Sequence, residues 1–388
     1  MIDFEYYNPA RIIFGSEPYG KVEEFLRSKG VKTLLMVYSG DFVKELGIYQ
    51  NVERICEHCG MKLIANGNVV PNPKVELVRE LVHIGKKEQV DFILAVGGGS
   101  SVDTAKAVAV GIPYEKDVWD FFEGKAQIVQ AVPIGVISTI PASGSETSNA
   151  AIISNGLHKV GVEDEKIIPQ FAVMNPEYTR TLPKYQSACG ISDILSHLLE
   201  RYFTNTEQVD TTDFLIEGAI KALLLNGARV MDDPNDSHAR AEVQWLASIA
   251  HNNLLDTGRE SDWASHRVEH EISAQYGIIH GEGMAIVMLG YLKYISEHHP
   301  KKTAQLANRL FGIDYHDHDE KAMTLLLADR LYEFYKKLGL RTSLRELEID
   351  DTHFAAMAQR ATANDTQPVG HYYPLDVKRF IEVLNLAL

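Results

Sequence analysis

The run Val90-Asp91-Phe92-Ile93-Leu94-Ala95-Val96, followed at once by Gly97-Gly98-Gly99-Ser100-Ser101 and an apolar pattern from Val102 to Val110, leaves this chain few ways to fold. A short, nearly unbroken apolar run is a strand buried on both faces, as in a parallel sheet covered by helices. Three residues without side chains then let the backbone approach a ligand closely, and the helix that starts there turns its free N–H groups toward an anion. Ser100 or Ser101 is expected to cap that helix. The run lacks the third glycine of the dinucleotide fingerprint, and no Gly-Lys-Ser/Thr follows to make a P-loop.

The rest of the first half repeats this alternation. Strands are expected at Val31–Val37, Met61–Ala65, Val132–Ile140 and Phe171–Met174, with helical patterns at Phe42–Cys59 and about Lys74–Lys87 between them. Such alternation predicts an α/β domain with a parallel sheet and helices on both faces. Ser138-Thr139-Ile140-Pro141-Ala142-Ser143-Gly144-Ser145-Glu146 also follows a strand and is dense in hydroxyls suited to phosphate and ribose oxygens. Two such loops after neighbouring parallel strands lie at the carboxyl edge of the sheet, where open α/β folds bind ligands.

Past Pro183 the texture changes. Ten of the fourteen prolines lie at or before Pro183, and 3.6-residue patterns such as Thr212–Leu225, Ala239–Leu255 and Lys321–Leu338 dominate afterwards. Proline is what helix interiors avoid, so a boundary is placed there: residues 1–183 form the nucleotide domain and 184–388 an all-helical domain. A length of 388 residues suits two cores.

A formal net charge of −15, with no cluster of Lys and Arg, argues against nucleic acid and anionic membrane as partners. The N-terminus lacks a basic and then apolar signal, and no run approaches the length of a membrane span, so a cytoplasmic protein is expected. Cys56-Glu57-His58-Cys59 has no second cysteine pair to complete a zinc site, and reduced thiols are expected there.

The second half carries the chemistry. In Gly190–Phe203, Asp193 and His197 stand four apart and share a helix face, among Ile194, Leu195, Leu198 and Leu199. A carboxylate and an imidazole so placed make half a metal site. His266, His270 and His280 follow within a short window and supply candidates for the other half. Spacing leaves open which of them are ligands, since His266 and His270 are also an i,i+4 pair.

These stretches resemble the iron-containing (group III) alcohol dehydrogenase family, in its butanol dehydrogenase-like branch. The resemblance rests on Phe4–Pro9 with Ile13-Phe14-Gly15, Gly97–Ser100 with Asp103-Thr104-Ala105-Lys106, Thr139–Glu146, Gly190–Phe203 and His266–Gly281, in the family's order. It implies an N-terminal nucleotide domain, a C-terminal helical domain and a catalytic divalent metal in the cleft between them. The family's one Asp and three His fall on Asp193, His197, His266 and His280. His270 becomes a proton-relay or positioning group near the nicotinamide. By the same resemblance Gly98, Gly99 and Ser100 touch the pyrophosphate, Asp103 sits beside the nicotinamide, Ser138 and Thr139 contact the adenosine side, and Lys159 reaches a ribose.

The implied activity is hydride transfer between nicotinamide C4 and a small alcohol or aldehyde whose oxygen the metal polarises. Iron(II) is named first on the family's account; imidazole donors suit zinc as well. NADP(H) is expected over NAD(H), because Ser39 falls where NAD-preferring members carry an Asp, although Asp41 two residues on would repel a 2′-phosphate if it turned inward. A homodimer is expected. Two rivals are a dehydroquinate synthase-like lyase, which would need several Lys and Arg beside the metal, and a non-catalytic nucleotide-binding protein, which would not need four ligands.

Overall fold

A computed structural model describes residues 1–388, and the chain divides into two compact units, Tyr7–Leu182 and Pro183–Leu388 together with Met1–Tyr6. The first six residues therefore go with the helical unit rather than with the nucleotide domain. The reason is local bonding: the Met1 ammonium donates to the Glu207 carbonyl at 2.7 Å, and Ile2 N–H donates to the Gly258 carbonyl at 3.0 Å.

The Tyr7–Leu182 unit holds eight strands: β1 (Arg11–Phe14), β2 (Thr33–Tyr38), β3 (Lys62–Asn66), β4 (Phe92–Gly97), β5 (Ile134–Ser138), β6 (Ala150–Asn155), β7 (His158–Glu163) and β8 (Phe171–Met174). Its helices are α1 (Tyr19–Ser28), α2 (Phe42–Glu45), α3 (Ile48–Cys59), α4 (Val75–Glu88), α5 (Gly99–Gly111) and α6 (Trp119–Phe122). Six strands form a parallel sheet in the order β1-β8-β5-β4-β2-β3. Alternate residues of a strand face opposite sides. Leu35, Val37, Ile93 and Ala95 accordingly enter one apolar core, and Leu34, Met36, Phe92, Leu94 and Val96 the other.

One local expectation is corrected, and two elements lie outside the expected ones. Phe42–Cys59 is two helices, not one, because Gly47 adopts φ 70° between them. β1, at four residues, is too short to show a period in the sequence. The antiparallel hairpin β6–β7, turning at Gly156 (φ 58°), was also unassigned, because Lys159 and Glu163 break up its apolar pattern.

The order of the sheet reverses at β2, since the chain goes from β2 to β3 on one side and then to β4 on the other. Ligands bind such sheets at the carboxyl ends of the strands flanking the reversal. Register fixes what meets there: Tyr38 pairs with Val96, and Gly97 with Ser138, so Ser39, the glycine turn and the Ser138 loop share one edge.

The Pro183–Leu388 unit is helical: α7 (Lys184–Tyr202), α8 (Asp210–Asp232), α9 (Ser237–His251), α10 (Ala264–Tyr276), α11 (His280–His298), α12 (Lys301–Phe311), α13 (Glu320–Leu338), α14 (Phe354–Ala361) and α15 (Val377–Leu386). α7 is central, with sixteen successive residues from Ser187 to Tyr202 all buried. A helix buried all round can carry Asp193 and His197 only if each finds a partner. No helix is long and apolar enough to cross a membrane.

Candidate functional site

Three elements build the metal cluster. α7 presents Asp193 and His197, α10 presents His266 and His270, and α11 begins at His280. The approach of α11 to α7 is set by Gly281, where a Cβ would lie 2.0 Å from the Cys189 carbonyl oxygen. No side chain fits there, so glycine is what lets His280 come up beside Asp193, one turn further along α7.

The donor atoms of Asp193, His266 and His280 lie within 4.8 Å of one another. His280 Nε2 is 3.4 Å from Asp193 Oδ1, and His197 Nδ1 is 3.9 Å from the same oxygen. The His197 ring stacks on His266, with centroids 4.7 Å apart. Donor atoms of Glu269, His270 and His280 form a second triple within the same limit, so geometry keeps His270 beside the cluster without choosing its role.

Two carboxylates that sequence reasoning missed hold the imidazoles. Glu200 accepts a hydrogen bond from His266 Nδ1, and Glu269 accepts one from His280 Nδ1. Both carboxylates are fully buried. With Nδ1 tied to a carboxylate, Nε2 is the nitrogen left to bind a metal, and its basicity rises. His266 Nε2 and His197 Nδ1 are buried with no hydrogen-bond partner. Burial, with His251, His266 and Arg201 adding to it, holds His197 well below its ordinary pKa and therefore neutral. Three imidazoles, one carboxylate and orphaned buried nitrogens fit a divalent cation of the iron and zinc type. A signal for the missing pair was present: Glu200 stands seven residues after Asp193 and Glu269 three after His266, each on its ligand's helix face.

His251, the last residue of α9, lies against His197 at 4.5 Å and near Trp263 at 5.7 Å. Arg201 does not offer an open cation: its guanidinium lies 4.5 Å above the Trp263 ring and its Nε donates to Asp256 at 2.8 Å.

In the sheet unit, the turn after β4 approaches its neighbours closely. A Cβ on Gly98 would lie 3.1 Å from Ile140, one on Gly99 2.5 Å from Ser143 Oγ, and one on Gly97 (φ 143°) 3.3 Å from Ser39 Oγ. The cap of α5 is Gly98 with no side-chain bond, so Ser100 and Ser101 occupy the first turn and do not cap it. Thr139 Oγ1 and Ser101 Oγ are buried without hydrogen-bond partners, and both fit a polar ligand at this edge. Asp41 points outward, 86% exposed, and pairs with Lys44 at 3.6 Å.

Asp103, expected beside the nicotinamide, has its carboxylate engaged by Ser145 Oγ–H at 2.6 Å and Ile152 N–H at 3.1 Å. It anchors the Ser138 loop to the hairpin. Lys106 supports the same loop: fully buried, its ammonium reaches the Ser148 and Ala150 carbonyls at 2.8 Å and Ser145 Oγ at 3.0 Å. Lys159 lies in β7 across from Ser154, buried; burial raises the Asp103 carboxyl above its ordinary pKa, and the charges of Lys106 and Lys159 pull against it.

Residues 9–176 match the model of the iron-containing alcohol dehydrogenases, and residues 187–388 match the C-terminal model of the Fe-containing alcohol dehydrogenase family. The chain belongs to the iron-containing alcohol dehydrogenase family. Among its relatives, NADH-dependent butanol dehydrogenase A of Clostridium acetobutylicum is 33% identical over 99% of both chains. The NADPH-dependent aldehyde reductase YqhD of Escherichia coli is 31% identical over 98% of this chain and 99% of its own. The crystal structure of NADH-dependent butanol dehydrogenase A from Thermotoga maritima superposes with a TM-score of 0.94 at 33% identity, covering 99% of this chain and 98% of that one. As a member of the iron-containing alcohol dehydrogenase family, this chain is a nicotinamide-dependent oxidoreductase of the alcohol dehydrogenase and aldehyde reductase type.

Proposed function

We propose that this chain interconverts small primary alcohols and aldehydes, using iron(II) held by Asp193, His197, His266 and His280 and, by preference, NADP(H). The carboxylate-tethered imidazoles of His266 and His280 are the observation that carries the metal assignment. When bound, the metal supplies Lewis acidity to the substrate oxygen, and the nicotinamide gives or takes the hydride. Asp193 offsets part of the ion's charge, while Glu200 and Glu269 fix the two imidazoles and raise their basicity. His270, on the same helix face as His266 and beside His280, moves the proton. Zinc satisfies the same donor set, so metal supply selects between the two.

For the nucleotide, the glycine turn and the first turn of α5 take the pyrophosphate, with Gly98, Gly99 and Ser100 closest to it. Ser138 and Thr139 meet the adenosine side and Lys159 a ribose, and Asp103 positions the loop that holds them. Ser39 supports NADP(H): its hydroxyl stands at the strand reversal with no carboxylate to repel a 2′-phosphate, and Asp41 is turned to solvent toward Lys44. A homodimer is the proposed assembly.

The test is to load the purified protein with iron and assay it against a panel of short aldehydes with NADPH and with NADH. Turnover with a higher kcat/KM for NADPH is expected, and Ser39→Asp is expected to move the ratio toward NADH. Higher kcat/KM with NADH in the natural protein would refute the cofactor preference, and no aldehyde turnover with either nucleotide would refute the substrate class.

A further inference from the structure

Trp263 immediately precedes α10 and adopts φ 66° and ψ 10°. A bulky side chain is strained in this left-handed region and persists there where its surroundings over-determine it. Those surroundings are the metal cluster. The indole meets the His266 ring edge-on at 5.1 Å and the His197 ring edge-on at 6.0 Å, with His251 at 5.7 Å. On its face lies the guanidinium of Arg201, 4.5 Å from the ring centroid. Arg201 is itself almost wholly buried on α7, fixed by Asp256 at 2.8 Å and reaching the His197 carbonyl at 3.4 Å.

The three imidazoles of the cluster are not held alike. His266 and His280 each give Nδ1–H to a buried carboxylate. His197 has no such tether through Nδ1, which faces the cluster 3.9 Å from Asp193 Oδ1 and is buried without a hydrogen-bond partner. What surrounds it instead is aromatic: His251 at 4.5 Å, His266 at 4.7 Å and the edge of Trp263. The indole also takes the guanidinium of Arg201, already paired with Asp256, onto its face, a favourable contact.

We infer that Trp263 is a positioning residue of the metal centre, its indole setting the planes of His197 and His266 as the carboxylates do for His266 and His280. The strained backbone is what brings the indole to that place. Partners behind metal ligands commonly contribute tenfold or more to metal affinity, and the same scale is expected here. The inference rests on the metal reading proposed above.

The experiment titrates the metal-free full chain with Co(II), whose visible bands report ligand geometry, in the natural protein and in Trp263→Gly and Trp263→Phe. Glycine suits the observed φ and removes only the ring. Co(II) binding about tenfold weaker with altered bands is expected for Trp263→Gly, and near-natural affinity and bands for Trp263→Phe, which keeps a flat face. Natural affinity and bands in Trp263→Gly would overturn the positioning role. Should that variant not fold, Trp263→Leu replaces it: weaker binding than in Trp263→Phe supports the inference, and equal binding overturns it. Failure of the natural protein to take up Co(II) would overturn the metal reading itself, a result distinct from equal binding across the variants.

Discussion

Glu200 serves His266 twice: one carboxylate oxygen accepts the ring Nδ1–H, and the other accepts the backbone N–H groups of Ser265 at 2.5 Å and His266 at 3.3 Å. A side chain on α7 thus caps the first turn of α10 and aims the imidazole that α10 carries. Capping and orientation both rest on this one side chain.

Glu200→Gln is expected to lower metal affinity by about 10- to 100-fold and to reduce the melting temperature of the metal-free chain. An amide retains one acceptor for the backbone and gives up the charge that fixes the imidazole tautomer. Metal content by elemental analysis and calorimetry of the apo form measure the two effects, and unchanged metal affinity would remove Glu200 from the centre.

Asp193→Ala and His270→Ala should part company. The first is expected to empty the metal site while nucleotide binding survives, because Asp193 and the glycine turn belong to different compact units. The second is expected to keep the metal and lose rate. Metal loss in His270→Ala comparable to that in His266→Ala would mark His270 as a ligand, an outcome that the triple of Glu269, His270 and His280 makes worth measuring.

Gly281→Ala is expected to push α11 away from α7, since its Cβ would stand 2.0 Å from a backbone oxygen that cannot rotate aside. The cost is about 1–3 kcal/mol of stability, as for other overpacked sites. His280 moves with the helix, so metal affinity falls too. Denaturant unfolding and metal titration of one preparation check both; a variant as stable as its parent would show that α11 shifts freely.

Glu146 gives a dependence on pH. Burial pushes its carboxyl from the usual 4.5 up to about 7, against a weaker pull from Lys106. Below about pH 4.5 both folded and unfolded forms hold the proton; between there and 7 only the folded form does, so unfolding releases a proton and rising pH destabilises the fold. Glu146→Gln removes this loss. Its stability relative to the parent is expected to rise from pH 5 to pH 7 by at most about 3 kcal/mol, the lower range reflecting the pairing with Lys106. Above pH 8 a second group enters, because the same burial lowers Lys106 to about 8. Parallel stability profiles for the two proteins between pH 5 and 7 would show that Glu146 does not titrate there.

Local pattern carried much of this protein. Strand β4 and the glycine turn were legible because a run of apolar residues ended by three glycines has one compact solution, and the change of texture at Pro183 because helix interiors exclude proline. Asp193 and His197 were visible because spacing along a helix says which side chains share a face; His266, His270 and His280 were visible only as candidates, and the family resemblance chose among them. Tertiary structure alone decided what stands behind them. Glu200 lies on α7 and its imidazole on α10, sixty-six residues apart, and no local period reports a contact of that range. The same holds for His251 and Trp263 against His197, for Asp103 turned to the Ser138 loop, and for Met1–Tyr6 on the helical unit. Secondary structure is set by neighbours a few residues apart and so can be read along the chain; the groups that orient a metal ligand are set by packing between helices, which exists only once the chain has folded.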